Sequence, residues 1–296
     1  MTYAVLDGAS GDAVVIDPVL DYEPASSTTW SESVDRVVGY LEQEGATLRL
    51  ILETHAHADH LSGAPLLKRS FPGVPLAVGA RITEVQARFA RIYGLPDDFP
   101  TDGRQFDRLL ADGEEVRAGT LRFRVIHTPG HTPADASYLF EDAGAVFVGD
   151  TLFMPDGGCG RCDFPAGSAS DLYRSVQEKL YTLPDDTDVY VGHDYQPGGR
   201  ALAFRATIAE QRASNAALPA SRTERDFVAW REARDATLST PKLLLQSLQV
   251  NIDAGELPPP DDAGMRYLKI PLNVFRPLTQ GQTVLEHINP SSTAPT

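Results

Sequence analysis

The alternation of apolar and polar positions divides the chain into short strands and longer helices. YAVLD and DAVVID, within residues 3–17, are β-prone runs joined by the turn cluster Gly-Ala-Ser-Gly-Asp, which predicts a hairpin. Residues 29–44 place Trp30, Val34, Val37, Val38 and Leu41 at helical spacing and predict an amphipathic helix. LRLILET (48–54) and PLAVG (75–79) have strand length. Helices are predicted where SGAPLLKRSF opens and over 81–94. EVRAGTLRFRVI (115–126) predicts a strand pair, and SYLF (137–140), AVFVGD (145–150) and DVYVGHD (188–194) predict further strands. SASDLYRSVQEKLYTL (168–183) reads as a helix with a Ser or Asp cap. Helix is predicted again over 199–214 and over most of the chain from there to about 250. GELPPPDD (255–262) is a Pro-rich turn, and the closing PSSTAPT reads as a disordered tail. Strands and helices in alternation, followed by helices, suit a layered α/β domain with mixed sheets.

The chain has 296 residues, enough for a sizeable core in one large domain or two small ones. No apolar run approaches the roughly 20 residues of a membrane helix. MTYAVLDGAS lacks a basic region followed by an apolar core, so it reads as the start of a strand, shortened, and not as a secretory signal. The net charge of −15 argues against binding to nucleic acid or an anionic membrane, both of which want a basic surface. An anionic substrate would be held by a few local cations. Two cysteines, Cys159 and Cys162, form no disulfide framework and suit a reducing cytoplasm.

The histidines change the picture most. Of seven, three lie in HAHADH as His55, His57 and His60, two in HTPGH as His127 and His131, and one in VGHDY as His193. Only His287 stands apart. Asp59 and Asp150 join the set. Each cluster follows a predicted strand, and strand ends at one edge of a sheet are where open α/β sheets place ligands. A single histidine is ordinarily a satisfied core or surface side chain; six at strand ends point to a metal. Imidazole with carboxylate suits zinc, iron or manganese. In an extended segment His55 and His57 share a face, whereas His60 needs the loop to turn. One metal or two adjacent metals are both compatible with this. Pro129 and Gly130 break any helix between His127 and His131. His131 is taken as the ligand and His127 as a structural or ligand-orienting residue.

HxHxDH, a later His, an Asp after a strand and a further His make up the pattern of the metallo-β-lactamase superfamily. Here it is carried by His55, His57, Asp59, His60, His131, Asp150 and His193. The resemblance implies an α/β fold, a four-layer αβ/βα sandwich with two mixed β-sheets between helices. It implies a catalytic domain over 1–215, a C-terminal extension packed on it over 216–288, and a tail over 289–296. GDTLFMPDGGCGRCDF, LYRSVQEKLYTLPDD, VGHDY, TIAEQRASN and LLQSLQVNIDAG resemble the persulfide dioxygenases, in particular a bacterial branch with a longer C-terminal part. That resemblance implies one Fe(II) per chain and oxidation of glutathione persulfide by O2 to sulfite and glutathione. By it, the iron ligands are His55, His131 and Asp150. Three protein ligands leave adjacent positions open for a substrate sulfur and O2. His57, Asp59, His60 and His193 would then surround the metal without binding it, or hold a second one. Arg161, Tyr195 and Arg212 lie in segments that resemble the family and are substrate-binding candidates. Cys159 and Cys162, in C-G-R-C beside the site, are candidate redox thiols. Family relatives also suggest a homodimer.

Two other readings compete. In a glyoxalase II-type hydrolase of glutathione thioesters, the same seven groups would hold two zinc ions and activate a bridging hydroxide. A non-enzymatic metal-binding protein on this fold would be expected to lack several of the ligands, and this chain lacks none.

Overall fold

The computed structural model describes residues 1–274. His287 and the tail 289–296 lie outside them. In chain order the elements are β1 (Tyr3–Leu6), β2 (Asp12–Ile16), β3 (Val19–Glu23), β4 (Thr28–Trp30), α1 (Glu32–Gln43), β5 (Thr47–Glu53), β6 (Leu61–Ser62), α2 (Ala64–Ser70), β7 (Leu76–Gly79) and α3 (Ile82–Tyr93). The second half continues with β8 (Arg108–Leu110), β9 (Glu115–Ala118), β10 (Leu121–His127), β11 (Ala136–Phe140), β12 (Ala145–Phe147), α4 (Ala169–Arg174), β13 (Asp188–Tyr190), β14 (Arg205–Thr207), α5 (Ile208–Ser214), α6 (Glu224–Asp235) and α7 (Leu244–Asn251).

Two mixed sheets carry the fold. The first runs β1-β2-β5-β7-β8, parallel except where β1 meets β2. The second runs β14-β13-β12-β11-β10-β9, antiparallel except where β12 meets β13. All five residues of β2 are buried, as expected of a strand covered on both faces. Strand alternation sorts them into two cores. Val14 and Ile16, with Leu50 and Leu52 of β5, face the second sheet's Val116, Phe123, Val125 and Tyr138. Ala13, Val15 and Ile51 face outward onto Val34, Leu41, Leu67 and Phe89 of α1, α2 and α3. The second sheet's outer face, with Ile126, Leu139 and Val146, is covered by Leu172, Ile208 and Phe227 from α4, α5 and α6. The order is helix, sheet, sheet, helix, which is the expected αβ/βα sandwich. From the C-terminal part, Leu244, Leu248 and Ile252 pack in the same cluster as Val85 and Phe89.

The structure departs from the periodicity in places. Trp30 belongs to β4, paired with Asp21 of β3, and is 43% exposed; α1 starts only at Glu32. The predicted helix over 199–214 is irregular up to Phe204, then strand β14, then α5. The free edge of β13 recruits residues 205–207, and Thr207 and Glu210 form a reciprocal capping box that starts α5 there. The helix over 168–183 is α4 followed by a π-turn (Ser175–Lys179) and a 3₁₀ turn, with Ser168 as its cap. The hairpin β3–β4 and the short β8 escape the pattern because neither carries an alternating run. Among the described residues, no helix is long and apolar enough to cross a membrane.

Candidate metal centre

The site is built where strands end. β5 stops at Glu53 and β2 at Ile16, so Asp17 and Thr54 meet. Asp17 Oδ1 accepts from the Thr54 amide at 2.7 Å, and Oδ2 accepts from its hydroxyl at 2.8 Å. Thr54 Oγ1 lies 3.0 Å from His55 Nδ1. His55 is buried, and its Nε2 has no hydrogen-bond partner. Burial, helped by the neighbouring histidines, holds its pKa well below the usual imidazole range, so the ring is neutral.

His131 follows β10. Its Nδ1 lies 2.7 Å from the carbonyl oxygen of Arg161. A carbonyl only accepts, so Nδ1 carries the proton and the Nε2 lone pair is free. Asp150 follows β12 through Gly149, where the backbone needs φ +51° and a Cβ would sit 2.5 Å from Thr54 Oγ1. Asp150 Oδ2 lies 3.7 Å from His131 Nε2. One donor atom each from His55, His131 and Asp150 falls within 4.8 Å of the others. An orphaned imidazole nitrogen, a second one freed by its hydrogen bond and a carboxylate fit a divalent metal.

His57 does not join this set, although its ring centroid is 4.0 Å from that of His55. Its Nε2 lies 3.0 Å from Asp17 Oδ1 and 3.3 Å from Glu53 Oε2, within ion-pair distance but off the line of a good hydrogen bond. Burial works against charging His57, but the two carboxylates outweigh it and hold its pKa well above the usual range. Burial pushes Glu53 up to about 7. Asp59 bridges two other histidines, with Oδ1 3.4 Å from His60 Nδ1 and Oδ2 3.2 Å from His193 Nε2. His193 Nε2 is also 3.5 Å from Asp150 Oδ1, and the Asp150 charge is the main cause of its raised pKa.

The remaining candidates are spread wider. His127 sits outside the cluster and ties β10 to β8, its Nε2 2.8 Å from the Leu110 carbonyl. Arg161 lines a cleft of about 260 Å³ together with Ala58, His131, Phe164, Asp235 and Leu244. Its guanidinium holds Asp163 (2.5 Å) and the Ser239 carbonyl (2.7 Å). Tyr195 is 68% exposed and stacks on His193 at 5.8 Å. Arg212 pairs with Asp185 at 2.6 Å on α5, and none of its hydrogen bonds reaches the histidines. Cys159 and Cys162 are free and buried. Burial pushes the Cys159 thiol up to about 11 and raises that of Cys162 as well.

Three buried residues that support the site went unnoticed in the sequence. Asp17 and Glu53 are acids ending two apolar strands, a signal the pattern did contain. Asn251, on α7, had no local signal. Its Nδ2 donates to the carbonyls of His57 and His60, both at 2.8 Å, and its Oδ1 accepts from the Ser62 amide at 2.8 Å.

Residues 2–193 match the profile of the metallo-beta-lactamase superfamily. The chain belongs to that superfamily. Within this metallo-β-lactamase family it is 48% identical to a probable metallo-hydrolase of Burkholderia pseudomallei over 93% of this chain and 96% of the other. It is also 48% identical to glyoxylase B2 of Dictyostelium discoideum, over 92% of each. The mitochondrial persulfide dioxygenase ETHE1 of Homo sapiens is 34% identical over 74% of this chain and 72% of its own. The crystal structure of ETHE1 from Myxococcus xanthus superposes with a TM-score of 0.68 at 32% identity, covering 86% of this chain and 94% of that one. The metallo-β-lactamase fold and its metal-binding chemistry follow from these matches, while the names of the relatives divide between hydrolase and dioxygenase.

Proposed function

We propose that the protein is a persulfide dioxygenase, holding one Fe(II) on His55, His131 and Asp150 and oxidising glutathione persulfide. The observation that carries this reading is the separation of the histidines. His55 and His131 converge with Asp150, while His57 is turned to Asp17 and Glu53. The likeness to the two ETHE1 proteins supports it. Fe(II) bound there would supply O2 chemistry and a site for the persulfide sulfur. The reaction takes glutathione persulfide, O2 and water to glutathione, sulfite and two protons.

The chain's own groups have distinct tasks in this proposal. The Arg161 carbonyl keeps the His131 proton on Nδ1, so Nε2 faces the metal. Asp59 and Asp150 flank His193 Nε2 and favour a proton there at the edge of the site. The thiol carrier would enter by the cleft beside His131, lined by Phe164 and by Arg161, whose guanidinium is paired with Asp163. Cys159 and Cys162 remain free thiols, in keeping with a cytoplasmic setting.

A second reading has a specific observation behind it. His57, Asp59 and His60 form another set of donors within 4.8 Å of one another, and the relatives at 48% identity are named as a metallo-hydrolase and a glyoxylase. That reading is a two-metal hydrolase of glutathione thioesters. O2 uptake by anaerobically Fe(II)-loaded protein given glutathione persulfide, with sulfite measured in parallel, separates the two. Uptake matched by sulfite is expected. Verified iron-loaded protein that consumes no O2, and a zinc form that cleaves a glutathione thioester, would overturn the dioxygenase.

A further inference from the structure

His131 lies past the end of the β10–β11 ladder, whose last pair is His127 with Ala136, so sheet pairing does not hold it. Within residues 128–135 the Thr128 amide donates to the Asp135 carbonyl and the Gly130 amide to that of Thr132, which fixes the shape of the segment. Its placement comes from α4 and the π-turn that follows. The Ser168 amide donates to the Gly130 carbonyl at 2.8 Å. The buried Ser175 hydroxyl donates to the Pro129 carbonyl at 2.8 Å. Lys179 Nζ donates to the His127 carbonyl at 2.7 Å and pairs with Asp112 Oδ2 at 3.0 Å, while Asp112 Oδ1 accepts from the His127 amide at 2.7 Å. Leu172 approaches Gly130 (φ +151°) so closely that a Cβ there would collide with its backbone. Ser168, Leu172, Ser175 and Lys179 recur at the spacing of one helix face. Ser175 and Lys179 are also the first and last residues of the π-turn, a rare element found often at functional sites.

Resting on the assignment of His131 as a metal ligand, which the one-metal and two-metal readings share, we infer that Ser175 and Lys179 are positioning residues for that ligand. The Arg161 carbonyl fixes the rotation of the imidazole through Nδ1. It does not fix where the backbone of His131 stands. That is set by the carbonyls of His127, Pro129 and Gly130, each tied to the same helical platform. A ligand has to be held to within about 0.5 Å of its productive place, and an irregular segment reaches that precision only when it is bonded to a rigid element. Loss of either side chain frees one carbonyl and lets the segment drift relative to His55 and Asp150, which stand on other strands.

Zinc and cobalt serve as probes. Chelator competition gives the Zn(II) affinity of the metal-stripped protein, and the visible absorption of the Co(II) form reports ligand geometry. Ser175→Ala and Lys179→Met are each expected to weaken zinc about tenfold or more, as loss of an orienting partner ordinarily does, and to shift the Co(II) bands. Lys179→Arg keeps the charge and a donor and is expected to recover both properties. Tyr181→Phe controls for stability alone, because its hydroxyl donates to the Gln211 and Leu218 carbonyls, away from the segment. It is expected to melt lower and bind zinc as the wild type does. Lys179 is 38% exposed, so its variant decides the matter alone where Ser175→Ala does not fold. If the variants melt lower yet match the wild type in zinc affinity and Co(II) spectrum, both residues are braces only and the inference is overturned. It is also overturned if Tyr181→Phe weakens zinc as much as they do. Wild-type zinc affinity in His131→Ala would instead sink the ligand assignment itself, a distinct result.

Discussion

Asn251 offers the sharpest test of how the C-terminal part serves the metal loop. Its side chain makes three hydrogen bonds, two to the carbonyls of His57 and His60 and one from the amide of Ser62. All three partners lie on the segment between β5 and α2, Ser62 in the short strand β6, and Asn251 is buried. Asn251→Ala leaves those groups without a protein partner. At about 1 kcal/mol net per bond the loss is about 3 kcal/mol, or roughly 5 °C in Tm for a chain of this size. Asn251→Asp is expected to cost more, because an acceptor replaces the Nδ2 donor and faces two carbonyl oxygens. Urea unfolding of the metal-free proteins, followed by circular dichroism, measures both. A cost under about 1 kcal/mol for the alanine variant would refute the bracing role. So would an aspartate variant as stable as the alanine one, since the argument depends on donor direction and not on side-chain volume.

Two further outcomes follow from the geometry. A Cβ on Gly192 would lie 2.6 Å from Asp150 Oδ1 and 3.0 Å from the Gly149 backbone, so Gly192→Ala displaces the carboxylate. Metal affinity is expected to fall about tenfold or more with the fold retained, as orienting groups around a metal ordinarily contribute; an unchanged titration with Fe(II) or Zn(II) as the probe would refute the close approach. Burial keeps Cys159 and Cys162 in the thiol form, Cys159 up to about 11, so native protein at pH 8 is expected to resist iodoacetamide until it is unfolded. Rapid alkylation of the folded protein would show that the thiols are far more accessible than this structure places them.

The parts of the fold that the residue pattern made legible are those with strong local signals. DAVVI and LRLILE are dominated by the apolar runs AVVI and LIL, and such runs become the central strands β2 and β5. The helix α3 carries its apolar face at regular spacing and ends at Gly94, in the left-handed conformation that favours glycine. The segment 199–214 went astray because helix propensity is a weak prior, and an open sheet edge at β13 overrides it. The seven histidine and aspartate positions of the site stood out because their residue types cluster after strands. Glu53, although visible as an acid in an apolar run, reads as an ordinary strand end until its carboxylate is seen against His57.

The chain's own letters determined its superfamily, its layered architecture and the pool of groups from which a metal could draw, because periodicity and donor chemistry are local properties. Which donors converge is a different kind of fact. His55 and His57 are two residues apart on one strand end, and alternation alone would aim them the same way. The packing of β2 against β5 brings Asp17 beside one of them, and the loop of 128–135 brings His131 beside the other. α7, almost two hundred residues downstream in sequence, then clamps the loop between them through Asn251. Such long-range placements depend on how sheets and helices stack, so only the tertiary structure shows that His55 lies with His131 and Asp150 while His57 lies against Asp17 and Glu53.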